Sequence, residues 1–458
     1  MGPLRVSTSN PRYFSDPAGR VVYLTGSHTW SNLQDVGVVG GALRSFDYEA
    51  YLDFLRARNH NFMRMWSFQG FSAGHHWVVP PLYFEPLPYM RIAPEWKFDL
   101  NRFDQAYFDR LRSRVAIARD RRLYVAVMLF QGWSVESRAA WRGHPFNIAN
   151  NVNGVDGDQD KNGSGEGIYA LADPGITARQ RAYVRKVIDT VNDLDNVLYE
   201  VGNEIGDYSA DWQDHIARYV SEYQARKPNQ HPIGVTAMVP GRNETADDSR
   251  LFRSPAHWIS PARATVPHDW VSNPPPANGR KVVLSDTDHF DPRSRTPAWV
   301  WKTFLRGHNP ILMDDPENSD PTREAARAAM GHTLMFARRV DLTSMIPRED
   351  LASSGYCLAD EGVTYLVYLP SPPTGSRLQR LYAWFMSWFA LTVTVDLSAV
   401  SGPLAIEWFD PSTGRTLAGG MADGRAKRTF RAPFDGDAVL YIFDPGREAP
   451  ARGSSAGR

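Results

Sequence analysis

Between residues 21 and 315, apolar β-branched runs alternate with amphipathic runs of helical period, and this rhythm constrains the fold more than any other feature. The strand-like runs are VVYLTGSHTW (Val21 to Trp30), NFMRMWSF from Asn61, LYVAVMLF from Leu123, NVLYEVGNE from Asn196, HPIGVTAMV from His231, HWISPARATV from His257, KVVLSDTDHF from Lys281 and NPILMDD from Asn309. Helical runs lie between most of them. One is capped by Asp47, and others cover Asp104 to Arg119, Ala178 to Leu194, Trp212 to Arg226 and Ala298 to Gly307. Arg323 to Arg339 would close the set. Parallel strands need a long crossover, so strand, helix, strand predicts a parallel sheet. Eight repeats predict a (β/α)₈ TIM barrel, whose usual span of about 250 residues fits once long loops are allowed. The alternative is an open doubly wound sheet, but no glycine fingerprint follows the first strand.

Beyond the closing helix the pattern changes to short strands punctuated by Gly, Pro and Asp: SGYCLADEGVTYLVYLP, LTVTVDLSAV, LAIEWFDPSTGRTL, KRTFRAPF and DAVLYIFDP. That spacing predicts an antiparallel β-sandwich. The expected organisation is a barrel over residues 1–350, a β-sandwich over 351–446 and a disordered tail over 447–458, with the boundary between Pro347 and Ser353.

Lys+Arg and Asp+Glu both total 51 in 458 residues, so no global charge draws the chain to nucleic acid or an anionic membrane. A neutral partner fits better. The lone Cys357 cannot form an internal disulfide and sits in a strand-like setting, as a small core residue would. No apolar run reaches the length of a membrane span; the nearest, Leu381 to Leu391, contains Trp, Tyr and Ser that suit a buried or binding surface. The opening MGPLRVSTSNPRYF has neither a secretory pattern nor the Ser or Thr of a myristoylation motif. Localisation therefore stays open: secreted or periplasmic if a signal was removed, cytoplasmic otherwise.

The fourth strand run ends in Gly202-Asn203-Glu204. In a TIM barrel the carboxyl ends of the strands carry the active site. There a Glu and an Asn supply what glycosidic cleavage needs, an acid for the leaving oxygen and an amide for a sugar hydroxyl. Taken alone, Gly-Asn is also ordinary turn chemistry. The seventh run ends in Asp286 and Asp288, two apart and so on one side of the strand. With Glu204 they form the expected catalytic set, Asp286 favoured as partner and Asp288 in reserve. One carboxyl kept neutral and one kept charged is what glycoside hydrolysis requires.

Other strand ends supply substrate-binding candidates. Arg64 and Trp66 share a face after the second strand, and Arg64 suits a bidentate contact to a carboxylate. His28 and Trp30 follow the first strand, Trp133 the third, His268 the sixth, and His289 lies beside the aspartates. An indole face can stack on a pyranose, although with 14 Trp in the chain most must be core. A separate loop, DQDKNG, places Asp158, Asp160 and Asn162 at the first, third and fifth positions of a calcium-type loop, with Gly163 at the sixth. Its twelfth position is Tyr169 rather than the required Glu, for which Glu166 would have to substitute. Structural calcium is thus an expectation. Zinc is not, for want of Cys/His ligand spacing.

Asn-Glu at the fourth strand end with a carboxylate at the seventh resembles the clan A glycoside hydrolases, and the C-terminal module looks like the collagen-binding-type β-sandwich appended to several members. YLTGSHTWSNLQD, HPFNIANNVNGVDGD, LSDTDH and RGHNPILMDD also look like a bacterial cellulase-like branch. The resemblance implies an oligo- or polysaccharide substrate, with Asn203 and Glu204 as the clan's amide and acid/base. The departure is at the seventh strand, where the clan has Glu and this chain has Asp286. That leaves retention only slightly favoured over inversion. Two other readings stand beside hydrolysis: a non-catalytic carbohydrate-binding barrel, to be distinguished by a carboxylate gap beyond about 10 Å, and a polysaccharide lyase using Arg64 against an acidic sugar.

Overall fold

The computed structural model describes residues 1–38, 40–70, 72–75, 78–92, 96–237, 248–289, 295–371 and 391–446. Its centre is a sheet of eight parallel strands: β1 (Gly26–His28), β2 (Phe62–Met65), β3 (Tyr124–Gln131), β4 (Val197–Asn203), β5 (Ile233–Thr236), β6 (Trp258–Ser260), β7 (Val282–Asp286) and β8 (Asn309–Met313). Hydrogen bonding runs in the order β1-β8-β7-β6-β5-β4-β3-β2. Asn61 bridges the remaining seam. Its N–H donates to the Thr25 carbonyl at 3.0 Å, its Oδ1 accepts from the Thr25 N–H at 2.9 Å, and its Nδ2 donates to the Tyr23 carbonyl at 2.8 Å. The fold is therefore an α/β TIM barrel, as the eightfold rhythm predicts.

Side-chain alternation divides the strands into an interior and a shell. Leu24, Phe62, Tyr124, Ala126, Leu198, Trp258, Val282, Leu284 and Ile311 fill the interior together with Leu4 and Phe14. Phe14 belongs to a small antiparallel sheet of Arg5–Val6, Phe14–Ser15 and Val21–Val22, and Leu4 directly precedes its first strand. Val21 and Val22 thus belong outside the barrel, and the first barrel strand is only Gly26–His28. The helices start where capping side chains direct them. Asp47, Asp104, Asp173, Thr296 and Asp320 each accept a backbone N–H in the first turn of Tyr48–Ala57, Gln105–Asp120, Pro174–Val191, Pro297–Leu305 and Pro321–Arg339. Proline opens the last three, a position that needs no N–H. The helix before β4 consequently begins at Pro174, four residues ahead of the predicted Ala178.

Two antiparallel sheets follow the barrel. Six strands, Ile346–Pro347, Cys357–Asp360, Thr364–Leu369, Ala438–Phe443, Pro403–Phe409 and Thr416–Asp423, form one; Thr392–Asp396 and Lys427–Arg431 form the other. Period-two alternation gives the larger sheet two apolar faces. Tyr365, Val367, Leu440 and Ile442 pack with Val393 and Val395 of the smaller sheet. Leu366, Tyr368, Phe409 and Tyr441 pack instead on Trp301 and Phe336 of the barrel helices. Trp301 stacks on Tyr368 with centroids 6.3 Å apart. Cys357 is buried in this module, and burial pushes its thiol well above the usual range. Among the described residues no helix is long and apolar enough to cross a membrane. The apolar run from Leu381 and the 447–458 tail lie outside the described residues, Leu391 excepted.

Candidate active site

The top layer of the barrel interior is polar. His28, Arg64, Glu200 and Asp286 come from β1, β2, β4 and β7, and all four are fully buried. A buried charge persists only where it is paired and hydrogen-bonded. Arg64 meets that condition with every nitrogen. Nε and Nη2 donate to the two Glu200 oxygens at 2.9 and 2.6 Å, Nη2 also to Asn203 Oδ1 at 2.6 Å, and Nη1 to Asp286 at 2.6 Å. The bidentate carboxylate partner of Arg64 is thus Glu200, a residue the sequence reading passed over. Its signal was a lone charge in the middle of an otherwise apolar strand, matched by the lone Arg64 in β2.

Asp286 is saturated. It accepts from Arg64, from the Asp288 backbone N–H at 2.9 Å, and from His28 Nε2 at 2.8 to 3.0 Å. The Trp66 indole N–H donates to His28 Nδ1 at 2.9 Å. An indole is only a donor, so Nδ1 is the acceptor and Nε2 carries the hydrogen directed at Asp286. Burial alone would raise the Asp286 pKa, but His28, through its hydrogen bond, and the Arg64 charge override it and hold the carboxyl far below the usual range. Since the indole fixes the His28 tautomer, Arg64 supplies the cationic part of that effect.

Glu204 is the first residue beyond β4 and takes φ +48°, in the left-handed region that L-residues seldom adopt. Strain of this kind concentrates at functional sites. The turn is held from β5: the Glu204 N–H donates to Thr236 Oγ1 at 3.2 Å, and that hydroxyl donates to the Gly202 carbonyl at 2.9 Å. It is held from β3 as well, since a Cβ on Gly132 would lie 2.3 Å from the Glu204 carbonyl oxygen, so only glycine allows the two strand ends to approach. Burial, then Asp288, keep the Glu204 carboxyl protonated well above the usual range.

Asp288 differs from Asp286 in position and access. It lies in a short 3₁₀ turn, Thr287–His289, and retains 13% side-chain exposure. Carboxylate oxygens of Glu204 and Asp288 and a ring nitrogen of His289 all lie within 4.8 Å of one another. Burial and the Asp286 charge raise the Asp288 pKa. His289 is anchored at both nitrogens, Nε2 to Asn203 Oδ1 at 3.1 Å and Nδ1 to Ser260 Oγ at 3.1 Å. Burial lowers its pKa to about 3, so it is an uncharged imidazole. Asn203 Oδ1 therefore receives both Arg64 and His289, and its Nδ2 makes no hydrogen bond among the described residues.

Trp66 is buried under His28, whereas Trp30 and Trp133 are half-buried and contact each other at 5.0 Å between centroids. Glu136, on the loop after β3, is a second residue the sequence reading missed. Its Oε1 is buried without a hydrogen-bond partner and would lie 2.7 Å from a Cβ on Gly132, beside the Glu204 backbone. Burial and Glu166 raise its pKa to about 7. His268 lies on the loop after β6 and makes no hydrogen bond to this carboxylate group.

Glu204, Asp288 and His289 are the one group of three metal-ligand side chains that converges among the described residues. His289 has both nitrogens engaged, however, which leaves only the two carboxylates for an ion. In the DQDKNG loop, Asn162 Nδ2 donates to Asp160 at 2.8 Å and Asp158 accepts from the Gly163 N–H at 3.0 Å. Asp158 Oδ1 is buried without a hydrogen-bond partner, and Tyr169, at the twelfth position, is buried with its hydroxyl on the Gln131 carbonyl.

A family model described as a domain of unknown function, DUF6298, matches residues 76–239, about a third of the chain. No curated protein matches the sequence. Among solved structures, one titled glycoside hydrolase aligns over 98% of both chains at 11% identity with a TM-score of 0.59. A glycoside hydrolase family 5 protein from Bacteroides vulgatus aligns over 97% of this chain and 94% of its own, at 12% identity and a TM-score of 0.58. The structural neighbours are thus glycoside hydrolases, and at these identities the likeness is one of fold.

Proposed function

We propose that the chain is a glycoside hydrolase that cleaves an O-glycosidic bond of an oligo- or polysaccharide, with Glu204 as acid/base and Asp288 as the facing carboxylate. The observation that carries this reading is the approach of Glu204 and Asp288 to within 4.8 Å at the carboxyl ends of β4 and β7. One oxygen of each carboxyl within 4.8 Å is compatible with the roughly 5 Å separation of retaining enzymes, and we take the retaining course. Glu204, held protonated, donates its proton to the leaving oxygen, and Asp288 attacks the sugar carbon to form a covalent intermediate. Glu204, now a carboxylate, then takes a proton from the water that releases the sugar. Asn203 Nδ2 binds the hydroxyl beside the reacting carbon, and Trp30 and Trp133 form the stacking wall.

Asp286, the partner favoured from sequence, has another role in this reading. Three donors and complete burial keep its oxygens from a substrate, so it fixes Arg64 and His28 beneath the site. The lyase reading loses its cation, because Glu200, Asp286 and Asn203 take up Arg64. The short carboxylate gap also speaks against a purely binding barrel. Calcium has no part in these steps. We read residues 1–350 as the catalytic module and 351–446 as a docked β-sandwich. Its large sheet is covered on one face by barrel helices and on the other by the small sheet, which argues for support rather than collagen binding. Assignment to the cellulase-like branch rests on the motif resemblance alone. Incubation with a panel of aryl glycosides and polysaccharides, with product anomers followed by NMR, tests the proposal; no turnover of any member by folded protein would sink it.

A further inference from the structure

The connection from Ser260 to Lys281 contains no helix, unlike the crossovers after β3 and β4. A helix there would cover the outer face of β6 and β7. A loop carrying Pro274, Pro275 and Pro276 takes its place and leaves a cavity of about 430 Å³ against Val283. Val283 belongs to the shell, whereas Val282 and Leu284 belong to the interior, so the cavity lies behind β7 and apart from the barrel mouth. Its volume falls within the range of about 300 to 1,000 Å³ usual for small-molecule sites.

The inner wall is Phe252, Trp270 and His308. The Trp270 N–H donates to Asp248 Oδ2 at 2.8 Å, so the indole offers the cavity carbon surface. Asp248 also accepts the backbone N–H groups of Ala262 and Arg263 at 3.2 and 2.6 Å, and its charge is directed at the loop. His308 bonds Ser285 Oγ at 3.1 Å, and burial keeps it uncharged. On the rim, Arg253 and Arg280 have no carboxylate partner among the described residues; Arg280 leans over Phe252 at 6.0 Å. An aromatic and proline wall beside two guanidinium groups that have no carboxylate partner among the described residues suits a ring bearing an anion. Arginine forks match carboxylate and phosphate oxygens.

We propose that this cavity is a second binding site, for a sugar-sized ring carrying a carboxylate or phosphate, with Arg253 and Arg280 on the anion and Phe252 and the proline wall on the ring. It stands independently of hydrolysis. Titration calorimetry of the full chain with glucuronate, glucose 6-phosphate, glucose and inorganic phosphate tests it. Saturable binding of one or both acids below about 1 mM is expected. Glucose should give no such signal, and each of Arg253→Ala and Arg280→Ala should weaken binding about tenfold, as expected for one charged hydrogen bond. Preference for glucuronate or for glucose 6-phosphate identifies the anion as carboxylate or phosphate. Absence of saturable binding to both acids, unchanged affinity in the double variant, or inorganic phosphate binding as tightly as glucose 6-phosphate would each overturn the site. Both arginines are exposed, so the variants should melt as the parent does.

Discussion

The Trp66 indole donates to Nδ1 of His28 at 2.9 Å, and this one contact sets the tautomer of that imidazole. It leaves the His28 hydrogen on Nε2, pointed at Asp286, and Asp286 in turn holds Arg64. Nitrogen-15 NMR should therefore find His28 protonated at Nε2 with a bare Nδ1. Trp66→Phe removes the donor and leaves a buried acceptor unmatched, at a cost of about 1–3 kcal/mol in unfolding free energy. Denaturant melts of the variant check that figure.

Glu204→Gln keeps the size of the side chain but cannot deliver a proton. Turnover on a substrate with a poor leaving group should fall about a hundredfold or more. An unaltered rate in a variant with native circular dichroism would refute the acid/base assignment.

The two aspartates should separate by readout. Asp288→Asn should lose turnover while melting near the parent temperature, because Asp288 is partly exposed and weakly held. Asp286→Asn removes charge from a buried ion pair with Arg64, which should destabilise the fold by about 3–5 kcal/mol. The reverse pattern, with Asp286→Asn stable but dead and Asp288→Asn active, would exchange their roles.

Glu136 ties stability to pH. Its pKa is raised from 4.5 to about 7 in the folded chain, so the native state holds a proton that the unfolded state has released. That contribution is fully present below about pH 4.5 and is lost as pH rises through about 7, on the order of 3 kcal/mol in all. Glu136→Gln should flatten the pH dependence over this window and melt higher than the parent at pH 8. Parallel melting curves for the two proteins across the window would count against it.

The barrel and the C-terminal sheets should unfold together, since Trp301 and Phe336 of the barrel helices share one apolar cluster with Tyr368, Phe409 and Tyr441. Calorimetry should show a single transition. Trp301→Ala should lower stability by about 3–5 kcal/mol, the usual cost of truncating a buried aromatic.

The barrel was legible in the sequence because its signal is local. Eight apolar runs with helical runs between them, Asp47 and Asp104 at helix starts, and Gly-Asn-Glu at a strand end all announce themselves within a few residues. Short paired strands such as Asp35–Val38 with Val78–Glu85 were not legible, because their partners lie over 40 residues apart and neither has a strong alternating pattern. The same distinction holds at the candidate site. Residue type and strand position put Asn203, Glu204, Asp286 and Asp288 at the carboxyl ends of β4 and β7, where the structure has them, but two aspartates two residues apart cannot be told apart by spacing. Their difference arises when β7 ends at Asp286: the inner carboxylate meets Arg64 and His28 from two other strands, and the 3₁₀ turn swings Asp288 toward Glu204. Glu136 was invisible for the same reason, and Glu200 showed only as a lone charge within an apolar strand, with its partner unnamed. A carboxylate's role follows from which charges and donors surround it at about 3 Å, and only the closed barrel brings residues 28, 64, 200 and 286 within that distance.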